Sequence, residues 1–235
     1  MKLNKIYHKD CLQGMQELPE NSIDLVMTDP PFKYDSEGFM RGKGMMSRRK
    51  YTHEIINEFG TSFNPHPFLS LLPRIMKKFN LFTFCNKTLI ADYLNFAIKN
   101  DYLYDVLVWQ KPCPIPTKNR HYLSDIEYCI YIKESGATFN NNLPFNYYRK
   151  VQCFDAPNNH KRRIDHPTPK PYELIKRLIA VGSNEGDIVL DPFMGSGTTA
   201  IAAKLLRRRF IGFEINEKFV KVAQQRLNQK LINNF

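Results

Sequence analysis

Apolar and polar positions along the chain follow two different periods. Ile6-Tyr7-His8, Ile23 to Thr28, Leu81 to Cys85, Tyr104 to Trp109, Glu127 to Lys133, Asp187 to Asp191 and Ile211 to Glu214 are short aliphatic or aromatic runs, and each predicts a strand. The stretch from Cys11 to about Leu18, Phe68 to Phe79, Ile90 to Ile98, Tyr172 to about Val181, and the residues after Thr199 through Leu206 show helical spacing. Pro73 predicts a kink or a late start in the second of these helices, and Gly182 is expected just past the end of the fourth. In the last third of the chain the order is strand, loop, helix, strand.

Three stretches break this rhythm. Residues 33–65 carry Gly38, Gly42, Gly44 and Gly60 together with Arg41, Lys43, Arg48, Arg49 and Lys50. They predict a long mobile loop, read either as a flap that orders on a phosphate backbone or as a solvated basic segment. Lys111 to Pro116 alternates prolines and cannot be regular structure. Residues 134–165 are polar and rich in Asn and Tyr, and they hold Arg149, Lys150, Lys161, Arg162 and Arg163. Aromatics interleaved with bases suit contacts to nucleobases and phosphates, and a plain exposed insertion is the alternative.

Composition narrows the partners more than the fold. A chain of 235 residues, 43% apolar and 24% charged, fits one soluble domain spanning 1–235. Its net charge of +11 and pI near 9.4 point to a polyanion, with nucleic acid ahead of an anionic membrane surface. The first residues lack the apolar core of a signal peptide, so a cytoplasmic location, nucleoid-associated through DNA, is expected. Five dispersed cysteines without a Cys-x-x-Cys pair argue against a disulfide framework, and neither they nor the six histidines give metal-ligand spacing.

The candidate chemistry sits at strand ends. Asp29-Pro30-Pro31-Phe32 closes the strand that begins at Ile23, because two prolines stop a β-ladder. This loop offers a carboxylate, a proline-fixed carbonyl and an aromatic face, which together suit a planar group bearing an amino substituent. A plain strand end followed by a Pro-Pro turn is the simpler reading. Pro192-Phe193-Met194-Gly195-Ser196-Gly197-Thr198-Thr199 joins a strand ending in Asp191 to a helix start, a turn that lets a ligand approach the backbone closely. A P-loop is disfavoured, since Thr198 follows Gly197 directly with no Lys between them. Glu214, some twenty residues on at the next strand end, matches a carboxylate that takes ribose hydroxyls. A nicotinamide dinucleotide and S-adenosylmethionine both remain open on these residues. Asp10, after the first strand, also reads as a helix N-cap.

Asp29-Pro30-Pro31-Phe32, then His166-Pro167-Thr168 with Lys170-Pro171, then Asp191-Pro192-Phe193 with Gly195 to Thr199, in that order, resemble the amino-group DNA methyltransferases acting on adenine N6 or cytosine N4, in the beta-group arrangement. The resemblance implies an α/β fold of the Rossmann-like S-adenosylmethionine-dependent methyltransferase type, with a mostly parallel seven-stranded sheet, helices on both faces and permuted motif order. It further implies that Asp191 to Thr199 cradle the methionine part of the cofactor, with Phe193 near the adenosine. Glu214 would hold the ribose, Asp10 beside Cys11 would reach the adenine, and Lys170 with His166 and Thr168 would close the pocket. Asp29, Pro30, Pro31 and Phe32 would receive a base flipped out of double-stranded DNA, adenine being favoured because an aspartate opens the motif. Phe32 stands where tyrosine is more frequent, which keeps the ring and drops a hydroxyl. Cytosine N4, RNA, or a non-catalytic basic DNA-binding role are the rival readings. Homodimerisation and a companion restriction endonuclease are further expectations from the family. Cys113 after Pro112 is read as structural and not as a nucleophile.

Overall fold

The structure, a computed structural model, describes residues 1–32, 63–112, 122–123, 125–157 and 169–232. Most of the basic loop expected over 33–65, the Pro-rich piece from Cys113 onward, and the end of the 134–165 stretch lie outside them. The chain begins with strand β1 (Lys5–His8), helix α1 (Cys11–Gln16) and strand β2 (Leu25–Thr28). Then come α2 (His66–Ile75), β3 (Asn80–Cys85), α3 (Ile90–Lys99), β4 (Leu103–Gln110), β5 (Ile126–Lys133) and β6 (Val151–Cys153). The last third supplies α4 (Tyr172–Gly182), β7 (Ile188–Asp191), α5 (Thr198–Leu205), β8 (Arg209–Glu214) and α6 (Glu217–Ile232).

These strands make one sheet in the order β1-β8-β7-β2-β3-β5-β4-β6. Every pairing is parallel except the two that β5 makes, with β3 and with β4. The eighth strand, beyond the seven expected, is β6, which lies within 134–165 and pairs Val151 with Val108 and Cys153 with Gln110. Trp109 Nε1 donates to Phe154 O at 2.8 Å, tying the chain that follows β6 to β4.

Alternate residues of the central strands face opposite sides, and both sides are covered. Leu25, Met27, Phe82 and Phe84 pack with Leu174, Ile175, Leu178 and Ile179 of α4 and with Ala200, Ala202 and Ala203 of α5. Val26, Leu81 and Ile130 pack with Met15 of α1, Phe68, Leu72 and Ile75 of α2, and Tyr93 and Ala97 of α3. Strands buried on two faces read as continuous apolar runs, as β2 and β3 do.

Several boundaries differ from the sequence reading by one or more residues. α2 starts earlier, at His66 with a proline in its first turn, and continues through Pro73 to Ile75. Phe79, expected as a helix end, is a core residue just before β3. Gly182 is the last residue of α4, not the residue beyond it. A Cβ there would stand 2.9 Å from Phe82 Cε2, so the glycine lets the helix end lie against the sheet. α6 had no counterpart in the sequence reading.

α1 is held down from both ends. Asp10 Oδ1 accepts from Leu12 N at 3.0 Å and Gln13 N at 3.1 Å, so the N-cap reading of Asp10 is realised. Arg74 donates to the carbonyls of Met15 at 2.8 Å and Leu18 at 3.0 Å, placing a cation at the helix C-terminus. Between them, Gly14 packs so tightly on β8 that a Cβ would lie 2.5 Å from Phe213 Cε1. Gly14→Ala is therefore expected to lower unfolding free energy by about 1–3 kcal/mol of overpacking, less about 1 kcal/mol of helix propensity gained. Urea titration measures this, and an unchanged midpoint would contradict the close approach.

Candidate active site

Because β1, β8, β7, β2 and β3 are parallel, their C-terminal ends share one edge of the sheet. That edge carries Asp10 just after β1, Glu214 at the end of β8, Asp191 at the end of β7, and Thr28 with Asp29 at the end of β2. The connection from β7 runs outward to β8, whereas that from β2 runs the other way to β3. The crevice between β7 and β2 is thus the topological switch point, where open α/β sheets bind ligands. Ladder pairing there extends only from Leu25 with Val189 to Val26 with Leu190. Above it a side-chain bond takes over, from Thr28 Oγ1 to Asp191 Oδ1 at 2.7 Å.

On the β7–β8 side, the glycine turn is built from backbone. Gly195 and Gly197 have φ of 50° and 81°, left-handed values that favour glycine. Glu214 Oε2 accepts from Gly195 N and Oε1 from Asn216 N, both at 2.8 Å. A carboxylate has about four lone-pair sites, so these two bonds orient the group and leave capacity for a ribose diol. Burial raises the Glu214 carboxyl above its ordinary range against those backbone bonds. Asp191 Oδ1 also accepts from Phe193 N at 3.1 Å, and burial pushes this acid up to about 7 although Thr199, Thr28 and Phe193 donate to it. The Phe193 ring meets Phe63 and Phe68 edge-on, at centroid distances of 5.5 and 5.6 Å. Pro192, Ser196, Thr198 and Thr199 are buried beneath this turn. Cys11 opens α1 beside Asp10, its thiol pushed up to about 12 by burial and by the Asp10 charge.

On the β2 side, Pro30 is buried, and Pro31 and Phe32 are half-buried. Asp29 Oδ2 accepts from Lys170 Nζ at 2.5 Å, while Asp29 Oδ1 is buried without a hydrogen-bond partner among the described residues. Lys170 Nζ also lies 3.2 Å from Glu127 Oε2, and Glu127 Oε1 lies 2.6 Å from Lys111 Nζ. The lysine head stands over the rings of Phe32 and Phe84 at 5.3 and 5.1 Å. Burial raises the Asp29 carboxyl, opposed by the Lys170 charge. For Glu127 burial acts the same way but Lys170 and Lys111 outweigh it, holding that carboxyl below its usual range.

The edge therefore gathers Asp10, Cys11, Asp29 to Phe32, Asp191 to Thr199 and Glu214. Lys170 belongs to it too, with its charge directed to Asp29 and Glu127. His166, Thr168, Arg41, Lys43, Arg48, Arg49, Lys50, Lys161, Arg162 and Arg163 lie outside the described residues. Arg149 and Lys150 are exposed next to β6, Lys150 paired with Asp105. The sequence reading missed Glu127, Lys111, Phe63 and Phe68 as site residues. It also missed Arg226 of α6, whose Nη1 donates to Ser196 O and to Thr198 Oγ1. Only Phe68 carried a signal, as an apolar position of a predicted helix.

A mostly parallel sheet with a glycine turn, an acid at the next strand end and an acidic Pro-Pro loop at its switch point is an arrangement that suits a nucleoside-type cofactor. The chain belongs to the N6/N4 DNA methylase family, whose model matches residues 23–225. It is similar to the type II methyltransferase M.HpaI of Haemophilus parainfluenzae, 29% identical over 94% of this chain and 73% of that protein. The crystal structure of the M1.HpyAVI–SAM complex is 27% identical and superposes with a TM-score of 0.69, over 94% of this chain and 98% of that one. PvuII DNA methyltransferase, described as cytosine-N4-specific, shares the fold at a TM-score of 0.71 and 17% identity, over 94% of this chain and 85% of that one. The protein is a DNA amino-methyltransferase, and S-adenosylmethionine is its cofactor. The spare acceptor capacity of Glu214 beside the glycine turn fits that cofactor.

Asp191 gives the site a pH signature. Its folded pKa is raised, so its contribution to stability is fully present below about pH 4 and is lost as pH rises through about 7. Asp191→Asn keeps an acceptor for Thr28 and Phe193 and removes the charge. The variant is expected to gain on the wild type by up to ~1.4 kcal/mol per pH unit across that window and to level off above it. Urea unfolding from pH 5 to 8 measures the difference, and a constant offset would contradict a buried acid that titrates there.

Proposed function

We propose that this protein methylates N6 of adenine at a specific sequence in duplex DNA, by direct in-line transfer to a base flipped out into the loop from Asp29 to Phe32. The observation that carries this reading is the buried Oδ1 of Asp29, without a hydrogen-bond partner among the described residues, beside a proline-fixed backbone. Bound S-adenosylmethionine supplies an electrophilic methyl carbon. The chain's own residues make the acceptor nitrogen available. An exocyclic amino group delocalises its lone pair into the ring and is a poor nucleophile. Hydrogen bonds donated from that nitrogen to Asp29 Oδ1 and to the Pro30 carbonyl shift density back onto it, while Phe32 offers a face for stacking. As the new nitrogen–carbon bond forms, the sulfur–methyl bond breaks to leave a neutral thioether, and the nitrogen sheds one proton, for which Asp29 Oδ1 would be an acceptor.

Glu214, Asp191 and the turn through Gly195 and Gly197 would hold the cofactor, Phe193 with Phe63 and Phe68 would wall the adenosine, and Asp10 would reach the adenine edge. Extrusion of the base costs a few kcal/mol of unstacking, offset by contacts to the phosphates. The surplus of basic residues, Arg149 and Lys150 among them, suits those contacts. Action in the cytoplasm as the methylating half of a restriction–modification pair, and a homodimeric state, belong to the same proposal.

Asp29→Ala is expected to lower methyl transfer by at least about 1000-fold while cofactor binding survives, because it removes a group that acts on the acceptor only. Transfer of labelled methyl to unmethylated duplex DNA followed by nucleoside analysis tests both the role and the base. N6-methyladenine supports the reading, N4-methylcytosine corrects the base, and a fully active Asp29→Ala protein overturns the mechanism.

A further inference from the structure

Asp29, Lys170, Glu127 and Lys111 form a row of alternating charges drawn from four separate segments: the end of β2, the approach to α4, the start of β5 and the residue after β4. β5 runs against its neighbours, and this orientation brings its beginning, not its end, to the active edge. Lys170 is nearly sealed, with 6% of its side chain exposed, and Glu127 retains 18%. Burying such ions is costly, and apolar replacements of buried ion pairs are often neutral or stabilising, so a purely structural role gives the row little reason to exist. The row ends on Asp29, whose Oδ1 is buried with no hydrogen-bond partner among the described residues, whereas Glu127 Oε2, also without a hydrogen bond, faces Lys170 Nζ at 3.2 Å.

We infer that Lys170 and Glu127 are positioning residues for methyl transfer: Lys170 occupies Oδ2 of Asp29 and leaves Oδ1 as the acceptor for the target amino group, and Glu127, anchored by Lys111, holds the lysine head in place. This rests on the proposed function. Phe32 and Phe84 lie beneath the lysine head, so the cation is flanked by rings as well as by acids. A carboxylate gripped at one oxygen cannot turn away from an incoming base, and orientation of this kind carries much of the rate in transfers without a covalent intermediate. The ionisable groups that sense Asp29 are Lys170, Glu127 and Lys111 within the row, Asp191 on β7, Cys85 on β3, Cys129 on β5 and Tyr93 on α3. Within the row, the two lysines and Glu127 act on Asp29 with opposite sign.

The test uses full-length Lys170→Met, Lys170→Arg and Glu127→Gln proteins. It measures single-turnover methylation of DNA against pH, calorimetric affinity for S-adenosylmethionine, and the carbon-13 titration of the Asp29 carboxyl, assigned by its loss in Asp29→Asn. Lys170→Met is expected to lose about 100-fold in turnover and Glu127→Gln about 10-fold, with cofactor affinity within about twofold of wild type. Retained affinity also shows that the variants are folded. The acid limb of the rate profile and the Asp29 titration move to higher pH in Lys170→Met and to lower pH in Glu127→Gln, each by about 1 pH unit. Lys170→Arg restores part of the rate. Undiminished turnover, loss of cofactor affinity in proportion to loss of rate, or an unmoved Asp29 titration would each overturn the inference. If the wild type transfers methyl to no DNA, the proposed function fails, and the carboxyl titration still decides whether the row holds Asp29.

Discussion

A single buried hydrogen bond, from Thr28 to Asp191, sets the separation between the two halves of the site. Strand pairing between β2 and β7 stops at Val26 and Leu190, and beyond it the backbones part to make the crevice. Asp191 also orients Phe193, and Thr28 is followed directly by Asp29. The glycine turn and the loop from Asp29 to Phe32 are thus joined through two side chains at the mouth of the sheet. A misplacement of about 1 Å between two reacting groups can cost about 100-fold in rate, so the stiffness of this junction matters more than its modest net bond energy.

The interior acids are managed in two ways. Glu214 and Asp191 are met by backbone N–H groups and hydroxyls, which orient them without cancelling their charge. Asp29 and Glu127 are met by lysines that neutralise them. No lysine meets the acids on the side of the glycine turn among the described residues, and although burial raises both acids, a sulfonium-bearing ligand there would favour their charged forms. Arg226 does not meet them either, since its guanidinium donates to Ser196 and Thr198 and burial lowers its pKa to about 10. The chain as a whole carries an excess of eleven positive charges. Acids lining the cleft answer a cationic cofactor, and the basic surplus answers a polyanionic substrate.

The parts that were legible in the sequence are those fixed by local chemistry. Strands bounded by Pro30 or ending in Asp191 and Glu214, the glycine turn, and the cap formed by Asp10 follow from residue type and spacing. Glu127 was invisible because its place depends on β5 running antiparallel, a tertiary fact that no periodicity encodes. Lys170 was assigned to the cofactor pocket on the strength of its motif, whereas its head group reaches Asp29 across 141 residues of chain. Arg226 lies on a helix with a weak apolar face, and its target is a pair of backbone and hydroxyl oxygens that no motif announces. Gly182 was read as a helix terminator by residue type, but contact with Phe82 and Leu25 decides its position.

The order of strands along the chain differs from their order in space, and this has a bearing on how the molecule comes into being. β1, made first, has β8 as its only neighbour in the sheet among the described residues, and β2 gains β7 only once β7, which begins at Ile188, has been added. Both early strands keep an unpaired edge through most of synthesis, and long-range parallel pairing is slow to form. The crevice between β2 and β7 closes only in that late step. Synthesis therefore delivers Asp29, Glu127 and Lys170 before Asp191, the glycine turn and Glu214, and a nascent chain stalled before β7 has one flank of a crevice whose other flank does not yet exist.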